Sequence, residues 1–396
     1  MGMDSEKKML TGNSAAAYGV KLARVRVVPV YPITPQTTII EKLIEFITDK
    51  EMKAEFIPIE SEHSAMAAAV GAEATGVRAF TASSSQGIAY MHENLWVASG
   101  LRLPIVMVMV NRTMNPPIAG APDLSDSLSQ RDTGWIQIYV ENAQEILDMV
   151  IQAYRIAEDK NVLLPVAICY EGMVISHFLE AVDIPDQALV DKFLPPYRPE
   201  HVVLDTKRPM HVFIASDDYL PEYRYQQEVA MENAKKVIED VDKEFKKMFN
   251  REYGGLLATY MMEDAEVAIV SMGNISNTVR MAIRELRKDG IRAGAVKLRV
   301  FRPFPKEAIC DVLRDTKLVI VLDRAVSSGF GGIVYPELLT SLSNVEPRPN
   351  VQNYILGLAG RQVTVEKLGS LVKNSYENYQ NSGTGKPVQW IDIRGL

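Results

Sequence analysis

The chain has 396 residues, of which 47% are hydrophobic and 23% charged, and these fractions are ordinary for a globular protein with more than one domain. Its formal net charge of −7 argues against nucleic-acid binding as its main task. No apolar stretch approaches the roughly 20 residues that span a bilayer, and no signal-peptide core follows the first charges, so we expect a cytoplasmic protein without membrane association.

The cysteine content limits the metal chemistry of the chain. Only two cysteines occur, Cys169 and Cys310. Two thiols are too few for a disulfide framework, a four-cysteine zinc site or a four-cysteine iron–sulfur cluster. The sequence also contains neither an HExxH nor a CxxC pattern. We therefore expect the chain itself to bind no transition metal.

The first 50 residues predict a helix, a strand and a second helix. Asn13 is the expected N-cap of an alanine-rich helix over 14–22, and β-branched residues predict a strand over 25–31. Apolar residues at helical spacing then indicate a helix over 37–49. Between the strand and the second helix, two prolines enclose Thr34, which predicts a rigid loop.

Glu62 lies where an apolar, strand-like run over 56–59 meets a helix of very small residues. A helix rich in Ala and Gly has little side-chain bulk, so another backbone or a flat ligand can lie close to it. Two interpretations remain open. Glu62 is either an acidic residue favoured by the helix dipole, or a ligand-binding carboxylate at a strand-to-helix junction of an α/β sheet.

The alternation of strands and helices continues to residue 169, which predicts a mostly parallel sheet covered by helices. The predicted strands are 77–81, 104–110 and 164–169, and the helices are one that ends at Ala98 and one over 143–157. The small polar residues 82–87 either leave backbone N–H groups free for a ligand or provide a simple serine cap. The loop over 114–134 has a length that is typical of functional or mobile loops.

The second half of the chain predicts a smaller α/β domain. Residues 183–217 are proline-rich and irregular, and 223–249 predict a charged amphipathic helix that connects the domains. The next strands are expected at 267–271, 293–300, 317–323 and 352–357, and the helices at 277–288, 306–313 and 363–378. We therefore expect two α/β domains, formed by residues 1–250 and 251–396.

Three strand ends of the first domain carry polar side chains, namely Thr34, Glu62 and Arg112. Because the ends of parallel strands meet at one edge of a sheet, the three can converge on one ligand. The planar fork of an arginine suits a carboxylate, and a hydroxyl held between prolines is a pre-positioned hydrogen-bonding group. A carboxyl beside an Ala/Gly helix can contact a flat heterocycle. Each of the three residues also has an ordinary structural explanation.

Six short motifs stand out along the chain: YPITP at 31–35, ESEHS at 60–64, FTA at 80–82, SQG at 85–87, SQRDTGW at 129–135 and FRPFP at 301–305. Together they resemble the α subunits of multi-subunit 2-oxoacid:ferredoxin oxidoreductases, in particular the pyruvate and branched-chain 2-ketoacid enzymes. The resemblance covers nearly the whole chain, and the motifs occur in the order that the family shows.

The resemblance implies a thiamine-diphosphate pyrimidine-binding domain followed by a transketolase C-terminal-like domain. It implies that Glu62 contacts N1′ of the cofactor's aminopyrimidine, as both a catalytic and a cofactor-binding residue. It further implies that Arg112 holds the substrate carboxylate and that the Thr34 hydroxyl lies beside the substrate. The implied reaction is the reversible oxidative decarboxylation of a 2-oxoacid with coenzyme A to acyl-CoA, CO2 and reduced ferredoxin.

The chain lacks parts that this reaction needs. It has no Gly-Asp-Gly start of a diphosphate and Mg²⁺ motif, and its two cysteines are too few for clusters. The resemblance implies that thiamine diphosphate is shared with a β subunit and that Mg²⁺ and 4Fe–4S clusters lie on partner subunits. It also implies that γ and δ subunits complete the complex.

The substrate and two other interpretations stay open. Family members for pyruvate or branched 2-oxoacids often carry tryptophan-rich sequences after the arginine, whereas the loop from Asn115 to Asp123 contains no tryptophan. Such a loop can alter specificity, so pyruvate is the first choice and a branched-chain 2-oxoacid such as 2-ketoisovalerate, or another 2-oxoacid, is the alternative. The chain can also be half of a thiamine enzyme that does not use ferredoxin, or a non-catalytic subunit that has kept the fold.

Overall fold

The computed structural model of the chain describes residues 6–199, 204, 207, 217–382 and 387–395. Within these residues the strands are β1 (Glu6–Thr11), β2 (Val27–Val30), β3 (Glu55–Pro58), β4 (Phe80–Ser83), β5 (Val106–Asn111), β6 (Ile136–Tyr139), β7 (Val166–Glu171), β8 (Leu179–Ile184), β9 (Leu257–Tyr260), β10 (Val267–Ser271), β11 (Ala293–Leu298), β12 (Val300–Arg302), β13 (Leu318–Asp323), β14 (Asn350–Ile355) and β15 (Val388–Trp390).

The helices in the same residues are α1 (Gly12–Leu22), α2 (Thr37–Thr48), α3 (Glu62–Ala74), α4 (Ser85–Tyr90), α5 (His92–Gly100), α6 (Ser125–Leu128), α7 (Ala143–Ala157), α8 (Gln187–Phe193), α9 (Leu220–Phe249), α10 (Ile275–Lys288), α11 (Lys306–Leu313), α12 (Val334–Ser341) and α13 (Val365–Ser382). Of these described helices, none combines the length and the apolar character that a membrane crossing requires.

Two main sheets confirm the predicted α/β class. The first has the strand order β12-β6-β7-β5-β4 and is parallel except for β12. The parallel pair β2–β3 lies next to it, joined by a bridge between Val27 and Ala79. The second sheet has the order β15-β14-β13-β10-β11-β9 and is parallel except for β9.

Two consecutive strands, β11 and β12, belong to different sheets, so the prediction of one strand over 293–300 was wrong. β11 belongs to the second sheet, whereas β12 pairs antiparallel with β6 of the first sheet, with Val300 opposite Ile138. The break falls at Arg299, whose buried guanidinium Nε donates to Glu145 of α7 at 3.0 Å. Apolar residues alternate with Lys297 and Arg299 in this stretch, as in one continuous strand, so the division between two sheets was not visible in the pattern.

The helix that was expected to connect the domains packs into the hydrophobic core beside the first sheet. α9 begins three residues earlier than predicted, and its Phe245 packs edge-on against Phe193 of α8 with ring centroids 5.3 Å apart. α8 itself falls in the segment that we expected to be irregular from residue 183, so that expectation was wrong for Gln187–Phe193. Residues 195–199 are irregular as expected, and most of 200–216 lies outside the described residues.

Asn13 is not the N-cap of α1, as we had predicted. Thr11 caps this helix instead, since its side chain accepts a hydrogen bond from the helix backbone. The buried Asn13 amide donates from Nδ2 to the carbonyl oxygen of Pro35 and to Oγ1 of Thr38, both at 2.7 Å, and its Oδ1 accepts from the Tyr170 hydroxyl at 2.8 Å. It therefore fixes the proline loop that follows β2.

Candidate active site

The site predicted from the strand ends lies at one edge of the first sheet. β4 ends at Ser83, which pairs with Met109 of β5, and Arg112 follows β5 directly. Glu62 is the first residue of α3. Ser61 caps that helix, because its Oγ accepts from a backbone N–H three residues further along. The cap fixes the direction in which the helix leaves the strand and so places Glu62.

Arg112 is buried between two loops and has no charged partner among the residues that the structure describes. Its Nη1 donates to the backbone carbonyl oxygen of Thr34 at 2.6 Å, and its Nη2 donates to Oε1 of Gln86 at 2.7 Å. Its Nε is unpaired, and among the described residues no carboxylate lies within 4 Å of the guanidinium. Burial lowers the pKa of Arg112, while the charges of Asp126 and Glu62 act in the opposite direction. A buried guanidinium with uncharged partners is available to an anion.

Thr34 takes part in this contact through its backbone, whereas its side chain is exposed. The loop is held closely behind it, because a Cβ added at Gly172 would lie 2.4 Å from Cγ of Pro35. The structure thus brings Thr34 to Arg112 by way of a carbonyl group. The role of the Thr34 hydroxyl stays a prediction.

Glu62 lies against Gly87, and there is no room for a side chain at position 87 beside the Glu62 carboxylate. A Cβ added at Gly87 would lie 2.5 Å from Oε1 of Glu62 and 2.4 Å from Oγ of Ser83. The Glu62 side chain is mostly buried, and no described residue donates a hydrogen bond to its carboxylate. The hydroxyl groups of Ser83 and Ser84 and the amide nitrogen of Gln86 are also buried without a partner in the described residues. These unpaired polar groups around a glycine fit a flat, polar ligand.

Gln86 and Asp126 are the site residues that sequence reasoning missed. Gln86 stands in the small polar segment after β4, where a ligand contact was one of two interpretations, but its bond to Arg112 was not foreseen. Asp126 was not among the residues predicted for the site, because its partners lie as far as 41 residues away in the chain and leave no local pattern. Burial raises the pKa of Asp126 to about 6, and four N–H donors act against that rise.

The second domain contacts the same edge of the first sheet. Arg324, which follows β13, donates from Nη1 to Oε1 of Glu171 at the end of β7 at 2.8 Å, and both side chains are buried. The carbonyl oxygen of Arg324 also accepts from the backbone N–H of Leu124, in the loop before α6. No group of three or more His, Cys, Asp or Glu side chains in the described part of the chain is arranged to hold a metal ion.

Solved structures define the class of this fold. A 2-oxoglutarate:ferredoxin oxidoreductase from Magnetococcus marinus matches with a TM-score of 0.70 at 18% identity, over 94% of this chain and 65% of that chain. A split-gene transketolase matches with a TM-score of 0.54 at 14% identity, over 92% of this chain and 98% of that chain. The chain therefore has the α/β fold of these proteins, a thiamine-diphosphate-type domain with a transketolase C-terminal-like domain.

Sequence comparison gives the family. Residues 18–243 match the family model described as pyruvate flavodoxin/ferredoxin oxidoreductase, thiamine diphosphate-binding, and residues 265–368 match pyruvate:ferredoxin oxidoreductase core domain II. The pyruvate synthase subunit PorA of Methanocaldococcus jannaschii is 47% identical, and the ketoisovalerate oxidoreductase subunit VorA of Pyrococcus horikoshii is 46% identical; each alignment covers 98% of both chains. The chain belongs to the pyruvate flavodoxin/ferredoxin oxidoreductase family, which confirms the resemblance, and it is a subunit of a 2-oxoacid:ferredoxin oxidoreductase.

Proposed function

We propose that this chain supplies half of a shared thiamine diphosphate site at which pyruvate is oxidatively decarboxylated with coenzyme A, and that ferredoxin takes the electrons. One observation carries the proposal. Two buried charged groups without a charged partner in the described residues, the Glu62 carboxylate and the Arg112 guanidinium, flank Gln86 and Gly87. The Glu62 carboxylate suits a protonated heterocycle, and the Arg112 guanidinium suits the carboxylate of a 2-oxoacid.

The residues at this edge fit the pyrimidine part of the cofactor. Thiamine diphosphate, when bound, supplies the carbon nucleophile that attacks the 2-oxo group. Glu62 would hold a proton at a carboxylate oxygen facing the pyrimidine ring, and the lack of a side chain at Gly87 leaves room for that carboxylate. Because Glu62 is mostly buried, water competes little for that proton.

Arg112 and Thr34 would bind the substrate. The guanidinium would orient the carboxylate of the 2-oxoacid, and its contacts with Gln86 and the Thr34 carbonyl hold it in place before substrate arrives. The exposed Thr34 side chain would present its hydroxyl to the substrate from the opposite loop. The loop over 114–123 begins beside the guanidinium and would bound the substrate's side chain.

Exposed apolar side chains support the binding of partner subunits at this edge. Each segment that supplies a site residue carries one: Tyr31, Ile57, Tyr90 and Ile118, which are 37–60% exposed. Apolar groups clustered around a polar site are typical of a protein interface. We propose that a β subunit covers them and brings Mg²⁺ and the diphosphate site, and that γ and δ subunits complete the complex. We further propose that the 4Fe–4S clusters lie on these partners.

The domain division that we propose, 1–250 and 251–396, is supported by the end of α9. This helix ends at Phe249, and Asn250 has a φ of 56°, in the left-handed region that commonly terminates helices. The second sheet begins shortly afterwards with β9. Of the strands described after residue 250, only β12 returns to the first sheet.

A substrate panel tests the proposed function. The complex purified with its partner subunits is assayed with coenzyme A, a viologen acceptor and pyruvate, 2-ketoisovalerate or 2-oxoglutarate. We expect the highest kcat/KM with pyruvate. Because the ketoisovalerate oxidoreductase subunit has nearly the same sequence identity to this chain as the pyruvate synthase subunit, 2-ketoisovalerate is the second candidate. Absence of coenzyme A-dependent viologen reduction with every 2-oxoacid would refute the proposal.

Gly87→Ala is expected to weaken thiamine diphosphate binding and to lower turnover at least tenfold, because the new methyl group would displace the Glu62 carboxylate. Gly71→Ala, in α3, is the matched control. A Cβ there meets nothing within 4 Å, so this change is expected to leave turnover unaltered and to stabilise the chain by about 0.4–1 kcal/mol. Calorimetry of cofactor binding and thermal unfolding separate the two effects. Equal turnover and equal thiamine diphosphate affinity of the two variants would contradict the prediction.

A further inference from the structure

One buried carboxylate ties together the two segments that carry the candidate site. Asp126 of α6 is fully buried. Its Oδ2 accepts from the backbone N–H groups of Ser85 at 2.8 Å and of Arg112 at 3.0 Å. Its Oδ1 accepts from Nδ2 of Asn111 at 2.6 Å and from the backbone N–H of Ser127 at 2.8 Å. Four N–H donors therefore meet the two oxygens of a single side chain.

Ser85 needs such an anchor, because its φ of 50° lies in the left-handed region. A residue other than glycine keeps this conformation only where its surroundings hold it. The Ser85 hydroxyl also donates to the carbonyl oxygen of Thr113, directly after Arg112. The next residue, Gln86, accepts from the Arg112 guanidinium. The segment after β4 thus holds the Arg112 guanidinium, while the Asp126 carboxylate holds the Arg112 backbone.

On the basis of the proposed substrate-binding role of Arg112, we propose that Asp126 is a positioning residue for the 2-oxoacid. It touches neither substrate nor cofactor. It fixes the Arg112 backbone relative to Ser85, and so it sets the guanidinium in place before the substrate binds. A carboxylate is required, because donors face both of its oxygens. An amide in its place would turn an NH2 group toward two N–H donors in either orientation.

Asp126→Asn in the complex purified with its partner subunits tests this role. We expect the KM for pyruvate to rise about 10- to 100-fold while kcat stays within about threefold. Asp242→Asn is the matched control, since Asp242 of α9 is also buried and accepts from several backbone N–H groups, those of residues 253–255, which do not belong to the candidate site. This control is expected to keep the KM within about twofold. A purely structural role of Asp126 would lower the thermal midpoint and leave the KM unchanged.

Combination with Arg112→Ala shows whether Asp126 acts through Arg112. We expect Asp126→Asn to raise the KM of the native complex but not to raise it further in the Arg112→Ala complex. Independent, multiplying effects would overturn the inference, and so would a KM for Asp126→Asn equal to that of Asp242→Asn. An unchanged KM in Arg112→Ala would count against the proposed function. If the KM were raised in the Arg112→Ala complex but normal in the Asp126→Asn complex, only the positioning role would be contradicted.

A milder change covers the case in which Asp126→Asn does not assemble. Asn111→Ala removes one donor to Oδ1 and leaves the bonds from the carboxylate to Ser85 and Arg112 in place. We expect a complex with a KM for pyruvate raised about threefold, because the carboxylate is less firmly oriented. An unchanged KM in this complex would overturn the positioning role.

Discussion

Glu62→Gln in the assembled enzyme is expected to lower turnover about 10²- to 10⁴-fold, the range lost with a positioned acid–base group. Glutamine keeps the size and shape of the side chain, so the close contact with Gly87 is preserved. It cannot take up or release a proton at Oε1, however. Few alternatives exist nearby, because the buried hydroxyl groups of Ser83 and Ser84 are poor acids and bases near neutral pH. Turnover is measured with pyruvate, coenzyme A and a viologen acceptor.

Glu60→Gln is the control for this change. Glu60 lies two residues earlier in the same junction, is exposed, and accepts a hydrogen bond from the Ser64 hydroxyl at 2.6 Å. Its replacement alters the local charge equally but should leave turnover within about twofold. If the two variants had the same turnover, Glu62 would have no acid–base role. Calorimetry with thiamine diphosphate shows whether a loss of turnover comes from weaker cofactor binding or from slower chemistry.

The position of the candidate site could be predicted from the sequence because its main residues follow recognisable strands. Glu62 and Arg112 come within three residues of recognisable apolar runs, and the shared edge of parallel strands predicts that they are neighbours. Gln86 and Asp126 were harder to assign. Their partners belong to other segments, and a hydrogen bond across 26 or 41 residues leaves no local pattern in the chain.

The fold was predictable as a class but not in its connections. The strands predicted over 267–271 and 317–323 lie at or near the observed bounds of β10 and β13, because these are short apolar runs between turns. β9 and β15 were not predicted. The crossing of β12 to the first sheet was missed, since sequence periodicity reports burial and not the identity of the neighbouring strand. The cap of α1 was assigned two residues too late because Thr11 and Asn13 are both good caps, and only tertiary contacts separate them.

Arg112→Ala is expected to raise the KM for the 2-oxoacid about 10- to 150-fold, because a hydrogen bond to a charged group contributes about 1.5–3 kcal/mol and 1.4 kcal/mol is a factor of ten. The guanidinium has an unpaired Nε and no carboxylate partner in the described residues, so little internal bonding would offset the loss. Arg112→Lys keeps the charge but not the fork, and it should recover only part of the affinity. Steady-state kinetics over a range of pyruvate concentrations gives both constants.

Arg131→Ala separates this effect from a general loss of positive charge. Arg131 belongs to the loop that follows Arg112 in the chain, but its Nη1 donates to the carbonyl oxygen of Leu128. Within the described part of the chain, its side chain makes no hydrogen bond or ion pair with a residue of the candidate site. Its removal should leave the KM within about twofold. If both alanine variants raised the KM equally, the cause would be long-range electrostatics, and raising the salt concentration would abolish it. A specific contact at Arg112 predicts instead a KM increase that persists at high ionic strength, because a buried charge pair is screened far less than one on the surface.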